Sequence, residues 1–167
     1  MSVCAFFGHR EIFGDVNVLY NKVKKVVERL IIQGCSTFLF GSKSSFNDLC
    51  YNVVTNLKYK YPHISRTMYT CFHELAIKQE EKIYIEKMKD TIVENSRIKF
   101  FDDSKNINEA KGKMSYIIRN RRMIDDSQYC IFYYLEDYLV IKGRKTSGTE
   151  IALNYAKKNN KQIIIIK

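Results

Sequence analysis

The stretch that decides the fold is Val3-Cys4-Ala5-Phe6-Phe7-Gly8-His9-Arg10, an apolar run that ends at a glycine followed by an imidazole and a guanidinium. From Asp15 onward the apolar side chains change to helical spacing, at Val16, Leu19, Val23, Val26, Val27 and Leu30. The pattern predicts a strand that leads into an amphipathic helix, with the glycine in the turn between them.

The same unit follows a second time. Gly34 stands where the first helix should end, and an apolar run over residues 36–40 stops at Gly41-Ser42. Ser44 or Ser45 can cap the next helix, which we expect to end near Tyr61-Pro62 because proline disfavours helix before it. A third strand is predicted over residues 64–71.

The rest of the chain continues the alternation. We predict a helix over residues 80–90, a short strand over 97–101, a helix from Asn108 through Met123 and a strand over 129–135. A last helix begins at Gly148.

The chain closes with Ile163-Ile164-Ile165-Ile166, a run typical of a strand that is covered on both sides. Strands that alternate with helices predict an α/β fold: one domain over residues 1–167 with a Rossmann-like, mostly parallel sheet and helices on both faces.

Composition narrows the class of protein. The formal net charge is +10, which attracts nucleotides, nucleic acids or acidic surfaces without choosing among them. No apolar run approaches the roughly 20 residues of a membrane span, and the first residues lack the features of a secretory signal. The five cysteines form no Cys-x-x-Cys pair. We therefore expect a cytoplasmic protein with reduced core cysteines, no metal site and no membrane contact.

Three glycines mark where a ligand would bind. In open parallel sheets, ligands lie beyond the carboxyl ends of the strands, where helix N-termini present free N–H groups. Gly8, Gly41 and Gly148 all fall at such positions.

The first two glycine loops allow two interpretations each. His9 and Arg10 could contact a phosphate or a base, or Gly8 could simply form a tight turn. Around Gly41, the hydroxyls of Ser42 and Ser44 could bind an anion, although a plain helix cap explains them equally well. The Gly-Lys-Ser/Thr spacing of a P-loop is missing, so an NTPase is not predicted.

Two later segments add polar candidates. Arg119, Asn120, Arg121 and Arg122 lie near the end of a predicted helix, and we expect one or two of these arginines to face a phosphate while the others pair with Asp125, Asp126 or water. The second segment surrounds the start of the last helix, where Glu150 is either an acid, base or ribose acceptor or a first-turn residue favoured by the helix dipole. Its candidate residues are Ser147, Gly148, Thr149 and Glu150.

Taken together, these motifs resemble the bacterial SLOG superfamily of DprA-like and LOG-like proteins, and most closely its small clostridial members. The resemblance covers nearly the whole chain in order. It rests on Phe7-Gly8-His9-Arg10, Phe40-Gly41-Ser42, residues 58–62, Arg119-Asn120 with Met123, and Ser147-Gly148-Thr149 before Tyr155-Ala156-Lys157-Lys158.

The resemblance implies a nucleotide pocket at the strand ends, and it suggests a homodimer. In its hydrolase branch an arginine four residues before a methionine engages the ribose phosphate, which matches Arg119 and Met123. That branch also carries a catalytic glutamate, which here falls on Ala152, with Glu150 as the nearby acid. These departures affect hydrolysis more than binding.

Our leading hypothesis is therefore the binding of a nucleotide or nucleotide-derived ligand, such as a mononucleotide, an ADP-ribose-like molecule or a cyclic nucleotide signal, by a sensor or sequestering protein without a cofactor. The first alternative is an N-glycosidase of nucleoside 5'-monophosphates, with Arg119 on the phosphate and Glu150 or Asp125 at the reacting carbon. The second is single-stranded nucleic-acid binding through the net charge and the 22 aromatic residues, of which core packing is the better explanation.

Overall fold

The computed structural model describes residues 1–41, 44–71, 79–93, 112–143 and 145–167. Within them, six strands form one sheet in the order β4-β3-β2-β1-β5-β6, and every neighbouring pair is parallel. The sheet confirms the predicted Rossmann-like α/β fold. The strands are β1 (Ser2–Gly8), β2 (Cys35–Phe40), β3 (Ser65–Tyr69), β4 (Thr91–Val93), β5 (Tyr129–Tyr133) and β6 (Gln162–Ile166).

Three of the helices begin at side-chain caps that the sequence provides. Asp15 accepts from the backbone N–H groups of the first turn of α1, Ser44 caps α2, and Ser147 caps α6. Gly34 follows α1 with φ 94°, a left-handed conformation that glycine adopts without strain. The helices are α1 (Val16–Ile32), α2 (Ser45–Lys60), α3 (Gln79–Lys87), α4 (Lys113–Asp125), α5 (Tyr138–Ile141) and α6 (Gly148–Lys158).

Apolar side chains of β1 point alternately into two cores. Cys4 and Phe6 pack in the core that α1 and α2 cover, whereas Ala5 and Phe7 pack in the core that α4 and α6 cover. Because successive side chains of a strand face opposite sides of the sheet, this central strand is buried twice. Helices therefore lie on both faces, as predicted.

The strand order creates a crevice beside β1. The chain moves from β1 outward through β2, β3 and β4, and then returns to place β5 on the other side of β1. At such a switch point the connections leave the carboxyl edge in opposite directions, which opens a space between β1 and β5. The cap residues of α2 and α6 lie at this edge, on opposite faces of the sheet.

The last strand is less buried than its sequence predicts. β6 lies at the edge of the sheet, where Ile165 is 43% exposed and Ile163 and Ile164 are half-buried. The helix that covers this face, α6, packs on β1 and β5 instead. The prediction of a strand covered on both sides is therefore wrong, because a β-branched run records strand propensity and not the number of covering helices.

Some other boundaries also differ from the predictions. β5 ends at Tyr133, two residues earlier than predicted, and the short helix α5 was not predicted. The three-residue strand β4 was not predicted. The predicted strand over 97–101 and the predicted start of α4 at Asn108 lie outside the described residues.

Two expectations about the interior are resolved. All five cysteines are buried, which confirms the prediction that they belong to the core. Among the helices in the described ranges, none combines the length and apolar character needed to cross a bilayer.

A buried ion pair closes the amino-terminal edge of the sheet. Arg66 at the start of β3 donates to both carboxylate oxygens of Asp90, with its Nη2 at 2.6 Å from Oδ2, and its guanidinium lies 4.4 Å from the ring centre of Tyr51. Lys58 donates to the same carboxylate and to the carbonyl oxygen of Ile64. Although burial opposes the charge, the hydrogen bonds and charge of Asp90 raise the pKa of Arg66.

Candidate functional site

A cavity of about 760 Å³ opens at the carboxyl edge of the sheet, beside the switch point. Residues from five segments line it, and among them are nine residues that the sequence predicted for a site: Gly8, His9, Arg10, Ser44, Arg119, Asn120, Ser147, Gly148 and Thr149. The remaining lining residues are Phe7, Lys113, Tyr116, Tyr138, Lys145 and Thr146. The fold thus brings most of the separate sequence motifs to one place.

The charge of this lining has one sign. Arg10, Lys113, Arg119 and Lys145 contribute four cations, and none of the described lining residues carries a carboxylate. A second, more open groove of about 560 Å³ at the starts of α1 and α2 has the opposite character, because Glu11 and Asp48 line it without a cation. The first cavity therefore suits an anion, and the groove does not.

The start of α6 presents backbone donors to the cavity. The hydroxyl of Ser147 accepts from the N–H of Glu150, whereas the N–H groups of Gly148 and Thr149 belong to the first turn and have no acceptor within the helix. A Cβ built on Gly148 would meet no atom within 4 Å. Open space, N–H groups without an acceptor in the helix and the positive end of a helix dipole all favour an anion at this position.

The other two glycines serve packing. A Cβ on Gly8 would lie 2.4 Å from the Cδ1 atom of Phe46, so only glycine lets α2 approach β1 this closely. A Cβ on Gly41 would lie 2.7 Å from Sδ of Met123 and 2.9 Å from Cδ of Arg119. Gly41 does not line the cavity; it makes room for the arginine that does.

His9 is held as a neutral ring with a defined tautomer. Its Nε2 atom accepts a hydrogen bond from the backbone N–H of Leu135 at 3.1 Å, so the proton of the neutral ring is on Nδ1. The ring stacks on Tyr138 with 3.7 Å between centroids. Burial lowers the pKa of His9 to about 4, opposed by the hydrogen bond from Leu135. The imidazole is therefore uncharged near neutral pH.

The proton on Nδ1 is notable because this atom is buried and no described residue accepts its hydrogen bond. A buried donor without an acceptor costs about 1–3 kcal/mol. His9 is 2% exposed and lines the cavity.

Arg119 is almost completely buried, at 2% exposure. Its Nε and Nη2 atoms each donate to the side-chain oxygen of Asn120 at 3.3 Å, Nη1 contacts the sulfur of Cys71, and the guanidinium lies over the ring of Tyr116. Burial lowers the pKa of Arg119 to about 10, opposed by Cys71. The side chain is thus positively charged at neutral pH and fixed in orientation.

Arg122 and the acidic candidates lie elsewhere. Arg122 donates to Asp126 at 2.8 Å and does not line the cavity. Asp125 accepts from the hydroxyl of Tyr155 on the outer surface. Glu150 is absent from the lining, and its charge contributes, after burial, to the raised pKa of Tyr134. Ser42 lies outside the described residues.

Sequence reasoning overlooked several lining residues. Lys113 and Tyr116 precede Arg119 by six and three residues on α4, so helical spacing could have placed all three on one face. Tyr138 belongs to a four-residue helix that has no clear sequence pattern. In the described part of the chain, no group of three or more His, Cys, Asp or Glu side chains could hold a metal ion.

A known family model matches nearly the whole chain. The YpsA family model, described as the YspA SLOG family, matches residues 7–167. The match leaves out only residues 1–6, and this coverage is enough to assign the chain to the family. No curated protein matches the chain.

Proposed function

We propose that this chain, which belongs to the YspA SLOG family, binds a nucleotide or nucleotide-derived ligand in the cavity at the carboxyl edge of its sheet. The observation that carries the proposal is the lining of that cavity, which combines four cations with the open N-terminus of α6. Both features favour phosphate, and the volume falls within the range of about 300–1,000 Å³ that is typical of small-molecule sites.

The phosphate of such a ligand has two kinds of donor available. Gly148 and Thr149 offer backbone N–H groups, and Arg119 adds a positively charged guanidinium to the lining. Because Asn120 and Tyr116 already hold this guanidinium in place, little conformational entropy remains to be lost on binding. Tyr116 and Tyr138 add aromatic surface on which a base can stack.

Binding without hydrolysis fits this lining best. Cleavage of an N-glycosidic bond needs a group that activates water or stabilises an oxocarbenium-like centre, and carboxylates supply it most directly. The acids considered from sequence, Glu150 and Asp125, do not line the cavity, and Ala152 is buried in the α6 core. We therefore place the chain among proteins that read or sequester a nucleotide signal.

The cavity also explains the charge better than single-stranded nucleic-acid binding does. Stacking platforms need exposed rings along a groove, whereas six of the described aromatic side chains are fully buried in the core. These rings belong to Phe6, Phe38, Phe40, Phe46, Phe132 and Tyr133.

Isothermal titration calorimetry with AMP and with adenosine tests the proposal. We expect AMP to bind and adenosine to bind at least tenfold more weakly, because the cavity recognises phosphate. Arg119→Gln should lower the affinity for AMP at least tenfold, which corresponds to about 1.4 kcal/mol. Arg29→Gln serves as the matched control, since Arg29 is exposed in the last turn of α1.

A panel of ADP-ribose and cyclic nucleotides extends the titration to larger ligands. Absence of heat and of thermal shift with every phosphate-bearing ligand would contradict the proposal. Equal affinity of the native chain and Arg119→Gln would show that binding occurs elsewhere. Release of free base during the titration, followed by chromatography, would revive the hydrolase alternative.

A further inference from the structure

The cavity at the carboxyl edge has an exposed mouth and a buried inner part. The side chains of Phe7, His9 and Tyr138 line it, carry no charge near neutral pH and are almost completely buried. Three of the four cations of the lining are exposed instead and lie at the mouth: Arg10, Lys113 and Lys145. The mouth therefore suits a phosphate that stays partly hydrated, and the inner part suits an uncharged planar group.

Tyr138 brings a hydroxyl group to this inner part. The residue is 4% exposed, yet its hydroxyl makes no hydrogen bond within the described part of the chain. The hydroxyl is also not one of the fully enclosed polar atoms of those residues, so open space lies beside it. Because Tyr138 lines the cavity, a ligand there can reach a hydrogen-bonding group on a side chain that is otherwise buried.

His9 fixes the ring of Tyr138. The two rings are stacked, with 3.7 Å between their centroids and an angle of 7° between their planes. Nε2 of His9 also accepts from the backbone N–H of Leu135, whose carbonyl oxygen accepts from the N–H of Tyr138. The position of the hydroxyl is therefore set before a ligand binds, which lowers the entropy cost of binding.

A second contact holds the other end of α5. Lys142, the last cap of this helix, donates to Oε2 of Glu11 at 2.7 Å, and its Nζ lies over the ring of Phe13. The ring of Phe13 in turn meets Tyr138 edge to face at 6.0 Å. A helix of four residues is not stable by itself, so these contacts with residues 9–13 decide where Tyr138 lies.

The chemistry of a tyrosine hydroxyl indicates which part of a nucleotide it meets. The hydroxyl both donates and accepts, as does the edge of a base, whereas a phosphate only accepts and fits the cations at the mouth. A site that hydrogen-bonds a ligand group rejects analogues without that group, because its own polar atom is then left unpaired. Tyr138 can therefore make the cavity selective for one base.

We propose that the hydroxyl of Tyr138 hydrogen-bonds the edge of the nucleobase in the inner part of the cavity, and that His9 is the positioning residue that holds Tyr138 there. This assignment rests on the proposed function and makes it narrower. The site then recognises the base as well as the phosphate, and it selects nucleotides over sugar phosphates.

Calorimetry with AMP, GMP, CMP, UMP and ribose 5-phosphate tests the base contact. The native chain should bind one of the four nucleotides at least tenfold more tightly than ribose 5-phosphate. Tyr138→Phe removes only the hydroxyl, so it should weaken that nucleotide about fivefold and leave ribose 5-phosphate unchanged. Tyr59→Phe is the matched control, because Tyr59 is 80% exposed near the end of α2, and it should bind every probe as the native chain does.

The role of His9 is tested with the same probes. His9→Gln keeps a side-chain oxygen that can accept from Leu135 but has no ring to stack on Tyr138. It should weaken the preferred nucleotide and leave ribose 5-phosphate unchanged. The double variant with Tyr138→Phe should bind no more weakly than the weaker single variant, because both changes act through one hydroxyl. His9→Asn takes the place of His9→Gln if that variant does not fold.

The outcomes separate this inference from the proposed function. Native affinity of Tyr138→Phe for every nucleotide, or equal weakening of the preferred nucleotide and ribose 5-phosphate, would overturn the base contact and leave phosphate binding intact. Equal weakening of both probes by His9→Gln would overturn the positioning role of His9. Ribose 5-phosphate that binds the native chain as tightly as every nucleotide would contradict base recognition. No binding of any probe would overturn the proposed function as well.

Discussion

Two buried arginines at opposite edges of the sheet have the same burial and different surroundings. Arg66, 1% exposed at the amino-terminal edge, is tied to Asp90, and its pKa is raised. Arg119, 2% exposed at the carboxyl edge, lines a cavity with three further cations, and its pKa is lowered to about 10. At one edge the charge is compensated within the fold, whereas at the other burial outweighs the compensation.

The contrast shows how a buried arginine that stabilises the fold differs from a buried arginine that could bind a ligand. Burial alone does not distinguish them, because both side chains are equally inaccessible. Their surroundings do, since a carboxylate binds the guanidinium of Arg66, whereas Arg119 lines a cavity with three further cations. Changes at the Arg66 edge should therefore act on folding, and changes at the Arg119 edge should act mainly on ligand affinity.

The largest effect is expected from Asp90→Asn, which leaves the guanidinium of Arg66 buried without its counter-charge. Removal of one partner of a buried ion pair costs about 3–5 kcal/mol in the free energy of unfolding. Urea denaturation at pH 7 measures this loss. Glu136→Gln is the control, because it breaks an exposed pair with Lys167 and should leave the unfolding midpoint unchanged. Similar unfolding midpoints for the two variants would contradict the claim that the pair of Arg66 and Asp90 stabilises the fold.

Acid should act at the carboxyl edge through His9. Its pKa is about 4 in the folded chain and about 6.5 when unfolded, so below pH 6.5 the unfolded chain binds a proton that the folded chain does not. The stabilisation is complete above pH 6.5 and is lost as the pH falls towards 4, by up to about 3 kcal/mol.

Urea denaturation between pH 7 and pH 4.5 measures this dependence against that of His9→Asn, in which this contribution to the slope should disappear. His63→Asn, at an exposed position, is the control and should keep the native slope. Parallel pH profiles for the native chain and His9→Asn would mean that His9 is not held as a neutral ring.

The smallest effect on stability is expected at the cavity glycine. Gly148→Ala places a methyl group in open space, so we expect an unchanged unfolding midpoint and at least tenfold weaker AMP binding. Gly8→Ala is the informative counterpart, since its methyl group would overlap Phe46 and cost about 1–3 kcal/mol of stability. Calorimetry and urea denaturation measure both effects. Normal AMP binding by Gly148→Ala would contradict the assignment of Gly148 to the ligand site.

The sequence predicted the sheet well because local patterns specify it. Apolar runs such as the one before Gly8, and caps such as Asp15 and Ser44, depend on neighbouring residues alone. The exposure of Ile165 could not be predicted, because it depends on where α6 packs. Tyr138 was missed for a similar reason, since only the folded chain brings α5 against His9.

The sequence motifs identified most residues of the candidate site, but not the role of each residue. Gly8, Gly41 and Gly148 looked equivalent in the sequence, and the structure assigns close packing to the first two and open space to the third. Arg119 and Arg122 were both candidates, with Arg119 favoured by the family resemblance, and the turn of α4 places Arg119 in the cavity and Arg122 against Asp126. Such distinctions depend on tertiary contacts that no spacing encodes.

Gly41, Arg119 and Met123 meet at one point, where the missing methyl group of the glycine leaves room for both side chains of α4. The three positions should therefore covary. A residue larger than glycine at position 41 requires a smaller side chain at position 119 or 123. Among related chains, we expect the glycine to be kept wherever this arginine and methionine are kept, and to vary where α4 carries shorter side chains.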